Sequence, residues 1–280
     1  MIDPVTNTDQ QPTVSKPLLV IGLVLVVLIT GYGHLVHSGF FHNDAYITLR
    51  YSQNWLAGSG VSWNAGERVE GYTSFLHLAA ISLLGVLQLD LVTASQLIGL
   101  ASYAGICWLA LYHFRSERDS FWSLRQLLLL LTVPASYPLI AWSYGGLETS
   151  LVTLLVMCAS YTFVATNDES NKRMLLLGCL FALACLARPD VGLLVAITLA
   201  FLLCPREGKR SSPLAIVIFL AGFALLYLPY FCWRYWYYGE LLPNTFHAKM
   251  TGIDWFRLRT GGHYVHTFAR IAPFLLPTTL

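Results

Sequence analysis

Charge is what this chain has least of. Of its 280 residues only 11% are Asp, Glu, Lys or Arg, and the net charge is +2. There is no block of basic residues to track a phosphate backbone, so nucleic acid is not an expected partner. Cysteine is sparse as well. The six, Cys107, Cys158, Cys179, Cys185, Cys204 and Cys232, lie in or beside apolar runs. None has a CxxC or Cys/His spacing, which excludes a zinc module and a disulfide framework and leaves small buried hydrophobes. No glycine-rich loop of the kind that cradles nucleotide phosphates is present, and no internal repeat is visible.

Apolar sequence fills the space that charge vacates. The chain is 56% hydrophobic with a mean hydropathy of +0.58, the composition of a polytopic membrane protein. Residues 1–16 are polar and are read as a disordered cytoplasmic N-terminus. The run 17–36 is long enough to cross a bilayer core, which takes about 20 residues, and too long for a cleaved signal segment. Further apolar runs cover residues 91–114, 124–142, 147–164, 174–187, 191–204, 214–233 and 264–280. The run 75–89 is shorter. The expected fold is therefore all-α, a bundle of transmembrane helices occupying residues 17–280.

Cations abut several of these runs: Lys16, the group Arg115, Arg118 and Arg125, the pair Lys172 and Arg173, and the group Arg206, Lys209 and Arg210. Placed in the cytoplasm, these clusters satisfy the positive-inside rule. Parity then allows only two crossings between the N-terminus and Arg115. The run 75–89 should not cross, and should lie at the outer interface as a juxtamembrane helix. Residues 37–90 become a long first outer loop. The turns at 143–149 and 188–190 and the stretch 234–263 fall on the same side, so four polar segments distant in sequence converge on one face.

The first loop is the most specialised of these segments. Residues 42–74 carry Asp44, Arg50, Glu67, Arg68 and Glu70 among Trp63, Tyr72 and several glycines. Carboxylates, cations and flat aromatic faces together suit the holding and activation of a sugar hydroxyl. Asp44 stands just past the first helix, where it serves either as a helix N-cap or as a base. Glu148 follows Gly145 and Gly146 at a helix start, where the helix dipole favours an acid and the glycines permit close approach. Arg188 and Asp190 flank a tight turn, either paired with each other or facing a ligand. In the last outer stretch, Asn244, His247 and Lys249 stand in LLPNTFHAKM, and the aromatic run 233–238, broken by Arg234, reads as an interfacial belt.

These segments resemble a known family. Asn43-Asp44-Ala45-Tyr46-Ile47, Arg50-Tyr51, Gly66-Glu67-Arg68-Val69-Glu70-Gly71-Tyr72-Thr73, Gly146-Leu147-Glu148-Thr149, Arg188-Pro189-Asp190 and Pro243-Asn244-Thr245 occur in the order found in terminal arabinofuranosyltransferases. The resemblance extends to the mycobacterial type and its proteobacterial relatives within the GT-C class of integral-membrane glycosyltransferases. It implies a GT-C-like helix bundle with juxtamembrane helices in a periplasmic first loop, in a multi-pass protein of the bacterial inner membrane whose active site faces outward. It implies inverting transfer of a sugar, arabinofuranose or another pentose, from a polyprenyl-phosphate donor to a glycan, glycolipid or surface-protein acceptor. Asp44 is the expected catalytic base. Arg50, Glu70, Tyr72, Glu148, Arg188, Asp190, Asn244 and Lys249 are the expected substrate-binding residues. No cofactor is required by this chemistry. A divalent cation is the one candidate, and no metal ligands are assigned, since Asn43 replaces the first member of the family's acidic pair. The chain is shorter than family members, which implies that their C-terminal part is absent. The reading from another class is a transporter or flippase of a lipid-linked sugar, which predicts midplane charges, broken helices and repeat symmetry.

Overall fold

The structure, a computed structural model, describes residues 16–113, 132–164, 170–204, 211–249 and 255–271. Among them the chain forms helices and no strands. The cation clusters around Arg115 and Arg206, the stretch 124–131 and the N-terminal residues 1–15 lie outside the described residues. Two compact units are present, Met1–Gly239 and Glu240–Leu280.

In the first unit, α1 (Lys16–His37), α4 (Leu91–His113) and α9 (Pro213–Tyr238) hold the three stretches long and apolar enough to cross a membrane. At a rise of about 1.5 Å per residue, each of the three helices is longer than a hydrocarbon core of about 30 Å. Their large apolar side chains remain exposed, for example Val27 at 69% and Leu225 at 63%. A lipid-facing helix can leave them so, because all its backbone polar groups are satisfied internally. α9 starts at a Ser-Pro pair in which the Ser212 hydroxyl accepts from the Ala215 N–H at 3.1 Å. It ends at Gly239, whose φ of 76° supplies the left-handed residue that terminates a helix.

α2 (Ala45–Leu56) and α3 (Phe75–Val86) belong to the first loop. With 12 residues, α3 is about 18 Å long, against about 30 Å for a hydrocarbon core. It packs against α2, α4 and α7 (Asn171–Ala187), burying His77, Leu78 and Ile81 completely. The remaining helices of this unit are short. α5 (Tyr137–Tyr144) covers the described end of the run 124–142. α6 (Thr149–Val164) and α7 have 16 and 17 residues, and α8 (Gly192–Leu203) has 12. None of these reaches the about 20 residues of a perpendicular crossing.

The largest core is built by α6, α7 and α9 around Leu177, Phe181 and Phe219. α7 and α9 cross at Gly178 and Gly222. A Cβ on Gly178 would run into the Phe219 carbonyl, and one on Gly222 into the Leu175 carbonyl. Glycine at both positions lets the two backbones touch, as small residues do in membrane helix pairs.

The second unit holds α10 (Asn244–Lys249) and α11 (Trp255–Ile271). α11 begins nine residues before the apolar run expected from 264 and mixes Arg257, Arg259 and His263 with exposed aromatics.

Candidate active site

The first loop, the α5–α6 turn, the α7–α8 turn and the end of α9 meet at one end of the first unit. Their junctions are specific. The His42 N–H donates to the Gly145 carbonyl at 3.0 Å. Gly146, at φ 74°, lies under the Phe41 ring and beside the Ala45 Cβ, so a side chain there would displace the loop. His77, fully buried, donates from Nε2 to the Gly146 carbonyl at 3.2 Å. Burial pushes its imidazole down to about 4, so it holds the turn as a neutral donor.

Asp44 occupies the N-cap position of α2 but does not cap it. Its side chain is 72% exposed and makes no capping hydrogen bond. Its backbone N–H donates to His42 Nδ1 at 3.2 Å, and its Oδ2 lies 4.0 Å from the same nitrogen. The carboxylate is thus presented to solvent at the seam between the first loop and the turn 145–148.

Glu148, Arg188 and Asp190, from two separate turns, are brought together. Arg188 Nε donates to both Asp190 oxygens at 3.0 and 3.1 Å, and its Nη1 lies 3.5 Å from Glu148 Oε1. Of the two readings of Arg188, the pair with Asp190 is present: it braces its own turn while its side chain stays 47% exposed. Glu148 is 9% exposed. Burial raises its carboxyl above the ordinary glutamate range, while its own backbone N–H and the Arg188 guanidinium pull it back.

Glu70 and Tyr72 sit differently from what their chemistry suggested. Glu70 is 4% exposed, and both of its oxygens are taken by Arg234, with Nε at 2.9 and 2.8 Å and Nη2 at 2.6 Å. Burial pushes the Glu70 carboxyl up, with the Arg234 guanidinium and the Tyr230 hydroxyl pulling the other way. Tyr51 O–H donates to the Val69 carbonyl at 2.7 Å and accepts from the Gly71 N–H at 2.8 Å, so it grips the chain on both sides of Glu70. Tyr72 is 2% exposed, packs on Tyr51 and Tyr238, and meets the Tyr238 hydroxyl at 3.3 Å. Arg68 stacks its guanidinium 4.8 Å from the Tyr237 ring centre. The segment 66–73 is therefore a clasp that fastens the first loop to the end of α9. Glu70 has no oxygen to spare for a sugar hydroxyl, and Tyr72 is no platform; Trp63, 43% exposed, keeps that capacity.

Arg234 went unnoticed as a partner because it stands inside an aromatic run and 164 residues from Glu70. The available signal was a single arginine within 26 otherwise uncharged residues of a helix. Arg50 lies exposed on α2, its guanidinium reaching the Trp63 carbonyl at 3.3 Å and Gln53 Oε1 at 3.4 Å. Asn244 is exposed at the start of α10 in the second unit. Lys249 closes the same helix, and its side chain lies outside the described residues. Among the described residues no three His, Cys, Asp or Glu side chains cluster to hold a metal ion.

The described end of the bundle thus carries an exposed Asp44 carboxylate and, on the turn it adjoins, a Glu148–Arg188–Asp190 cluster. The chain is similar to the terminal beta-(1->2)-arabinofuranosyltransferase of Mycobacterium tuberculosis, at 29% identity over 273 residues. That alignment covers 93% of this chain and 42% of the relative, so the chain spans about two-fifths of the length of the protein it matches. The resemblance to that family read from the motifs is thus supported over nearly the whole chain. No family model matches, and no solved structure matches.

Proposed function

We propose that this chain forms the membrane core of an inverting GT-C glycosyltransferase. It transfers arabinofuranose or another pentose from a polyprenyl phosphate to a cell-envelope glycan, glycolipid or surface protein, on the outer face of the bacterial inner membrane. The observation that carries the reading is the exposed Asp44 carboxylate at the seam with the turn bearing Glu148, which is joined in turn to Arg188. The relative's name supplies the pentofuranose.

In this mechanism the acceptor oxygen attacks the anomeric carbon, and the bond from that carbon to the phosphate oxygen breaks. The acceptor proton passes to the Asp44 carboxylate, and the bonding electron pair leaves with the polyprenyl phosphate. Arg188, half exposed, meets the growing phosphate charge, where a fixed cation counts most. Glu148 and Asp190 hold that guanidinium in place. A largely apolar cavity of about 390 Å³ lined by Trp142, Thr149, Ser150 and Thr153 lies beside the turn and suits part of a lipid chain.

The test is transfer of radiolabelled pentose from its polyprenyl phosphate by the intact gene product in detergent, where no transmembrane gradient exists. Asp44→Asn should lower the rate by roughly 10²–10⁴-fold, the scale of general-base loss. The variant should insert and express normally, because an exposed carboxylate contributes little to folding. Near-normal transfer by Asp44→Asn would remove Asp44 as base. Failure of the wild type to transfer in detergent, with gradient-dependent movement in vesicles, would favour a transporter of lipid-linked sugars.

A further inference from the structure

A groove of about 770 Å³ runs along α2 and under the α3–α4 turn, within the range of about 300–1,000 Å³ typical of ligand sites. Its polar and aromatic lining is Tyr46, Arg50, Gln53, Trp63, Gln88 and Asp90, over a floor of leucines. Resting on the transferase reading above, we propose that this groove is the acceptor subsite, and that it binds a short oligosaccharide rather than a single sugar.

Its chemistry commits it to carbohydrate. Sugar rings present apolar C–H faces and a rim of hydroxyls. Trp63 and Tyr46 offer exposed aromatic faces, at 43% and 54% exposure. Arg50, Gln53, Gln88 and Asp90 offer planar donors and acceptors around them. A lipid phosphate would call for a surplus of cations, whereas Arg50 here shares the groove with the Asp90 carboxylate.

Its geometry commits it to more than one ring. Tyr46, Arg50, Gln53 and Leu56 recur along one face of α2, which begins directly after Asp44. At about 1.5 Å per residue, the lining spans about 15 Å of helix, starting within about one turn of Asp44. An acceptor whose terminal hydroxyl met Asp44 would have its preceding residues along this face.

The groove is also pre-formed. Asn54, buried, donates to the Ser62 carbonyl at 2.8 Å and the Trp63 carbonyl at 2.7 Å. The Arg50 guanidinium reaches that same Trp63 carbonyl. Asp90 Oδ2 accepts from the Thr93 N–H at 3.0 Å and the Thr93 hydroxyl at 3.2 Å. Gln88 holds φ at 67°, alone among described non-glycine residues in taking a positive φ. It is the left-handed residue that ends α3, with its N–H donating to the Gly85 carbonyl at 3.0 Å and the Leu89 N–H to the Leu84 carbonyl at 3.3 Å, which sets the α3–α4 turn over the groove.

The experiment uses the full chain in detergent with a linear arabinofuranosyl hexasaccharide and the matching disaccharide as probes. Saturation-transfer NMR without donor should show binding of the hexasaccharide, lost in Trp63→Ala and restored in Trp63→Tyr. In transfer assays Trp63→Ala and Gln53→Ala should each raise the acceptor KM about tenfold, with kcat and donor KM changing far less. The preference for hexasaccharide over disaccharide should collapse in both variants. Unchanged acceptor KM in both variants of an active enzyme overturns the groove and leaves the transferase reading standing. A rise in donor KM alone overturns it too, assigning the groove to the polyprenyl phosphate. Trp63-dependent binding without any transfer leaves an oligosaccharide groove but overturns both its role as acceptor subsite and the transferase reading.

Discussion

Two glutamate–arginine pairs stand at the same end of the molecule and are built to opposite specifications. In Glu70–Arg234 both side chains are about 5% exposed, three nitrogen–oxygen contacts lie within 2.9 Å, and aromatic rings close around them. In Glu148–Arg188 the contact is a single one at 3.5 Å, the arginine is 47% exposed, and Asp190 shares it. A charge sealed with its partner has no capacity left for a ligand and holds two segments in fixed register. A charge loosely held by two carboxylates keeps an open donor face and can exchange a protein contact for a phosphate. The sequence around Glu70 thus shapes the loop that carries Asp44, while Arg188 stays half exposed at its turn, as the proposed phosphate role requires.

The largest effect that follows is on folding. Glu70→Gln leaves the Arg234 guanidinium without its counter-charge, and breaking a buried pair on one side costs about 3–5 kcal/mol. The temperature of thermal inactivation in detergent should fall sharply, and the segment 60–73 should become open to limited proteolysis. The double variant Glu70→Met with Arg234→Met should recover much of the loss, since replacing both charges by apolar groups is often neutral. A loss below about 1 kcal/mol for Glu70→Gln, in the range of an exposed pair, would erase the contrast between the two sites.

How much of this was readable beforehand divides along physical lines. That 75–86 forms a short helix separate from α4 was legible, because the length of an apolar run depends only on what lies near it in sequence. Asp44 at the start of a helix, and Glu148 and Arg188 at turns on one face, were legible for the same reason. The fate of Glu70 was not. Whether a carboxylate faces solvent or an arginine 164 residues away depends on how distant segments pack, and no local pattern reports it. Tyr72 failed similarly: its ring chemistry suits a sugar platform, but Tyr51, Tyr238 and Phe75 fill the space against it.

A middle-sized effect separates the pairs by function. Arg188→Gln should change stability by no more than about 1 kcal/mol, as for a half-exposed ion pair. It should raise the KM for the polyprenyl-phosphate donor about tenfold, or lower kcat to match, with the acceptor KM held. Steady-state kinetics with donor and acceptor varied independently reads this out. If the donor dependence is unchanged, Arg188 is only the brace of its own turn through Asp190. If Arg188→Gln destabilises as much as Glu70→Gln, the open pair is as structural as the closed one.

The smallest effect tests which force dominates at Glu148, and its sign is decisive. Burial raises the Glu148 carboxyl, and Arg188 at 3.5 Å opposes it only weakly. A carboxyl raised on folding binds its proton more tightly in the folded than in the unfolded chain. Its contribution therefore favours folding at low pH and is lost as pH rises through the folded value. Glu148→Gln removes that titration and nothing else of similar size. Between about pH 4 and pH 7 the wild type should lose thermal stability relative to Glu148→Gln as pH rises. If Arg188 instead controlled the group, the carboxyl would be depressed, and the wild type would gain on the variant over the same interval. That result would make Glu148–Arg188 a second closed pair. The expected loss means that Glu148 is a desolvated acid held just short of full pairing, so an arriving phosphate can take over its arginine at small cost.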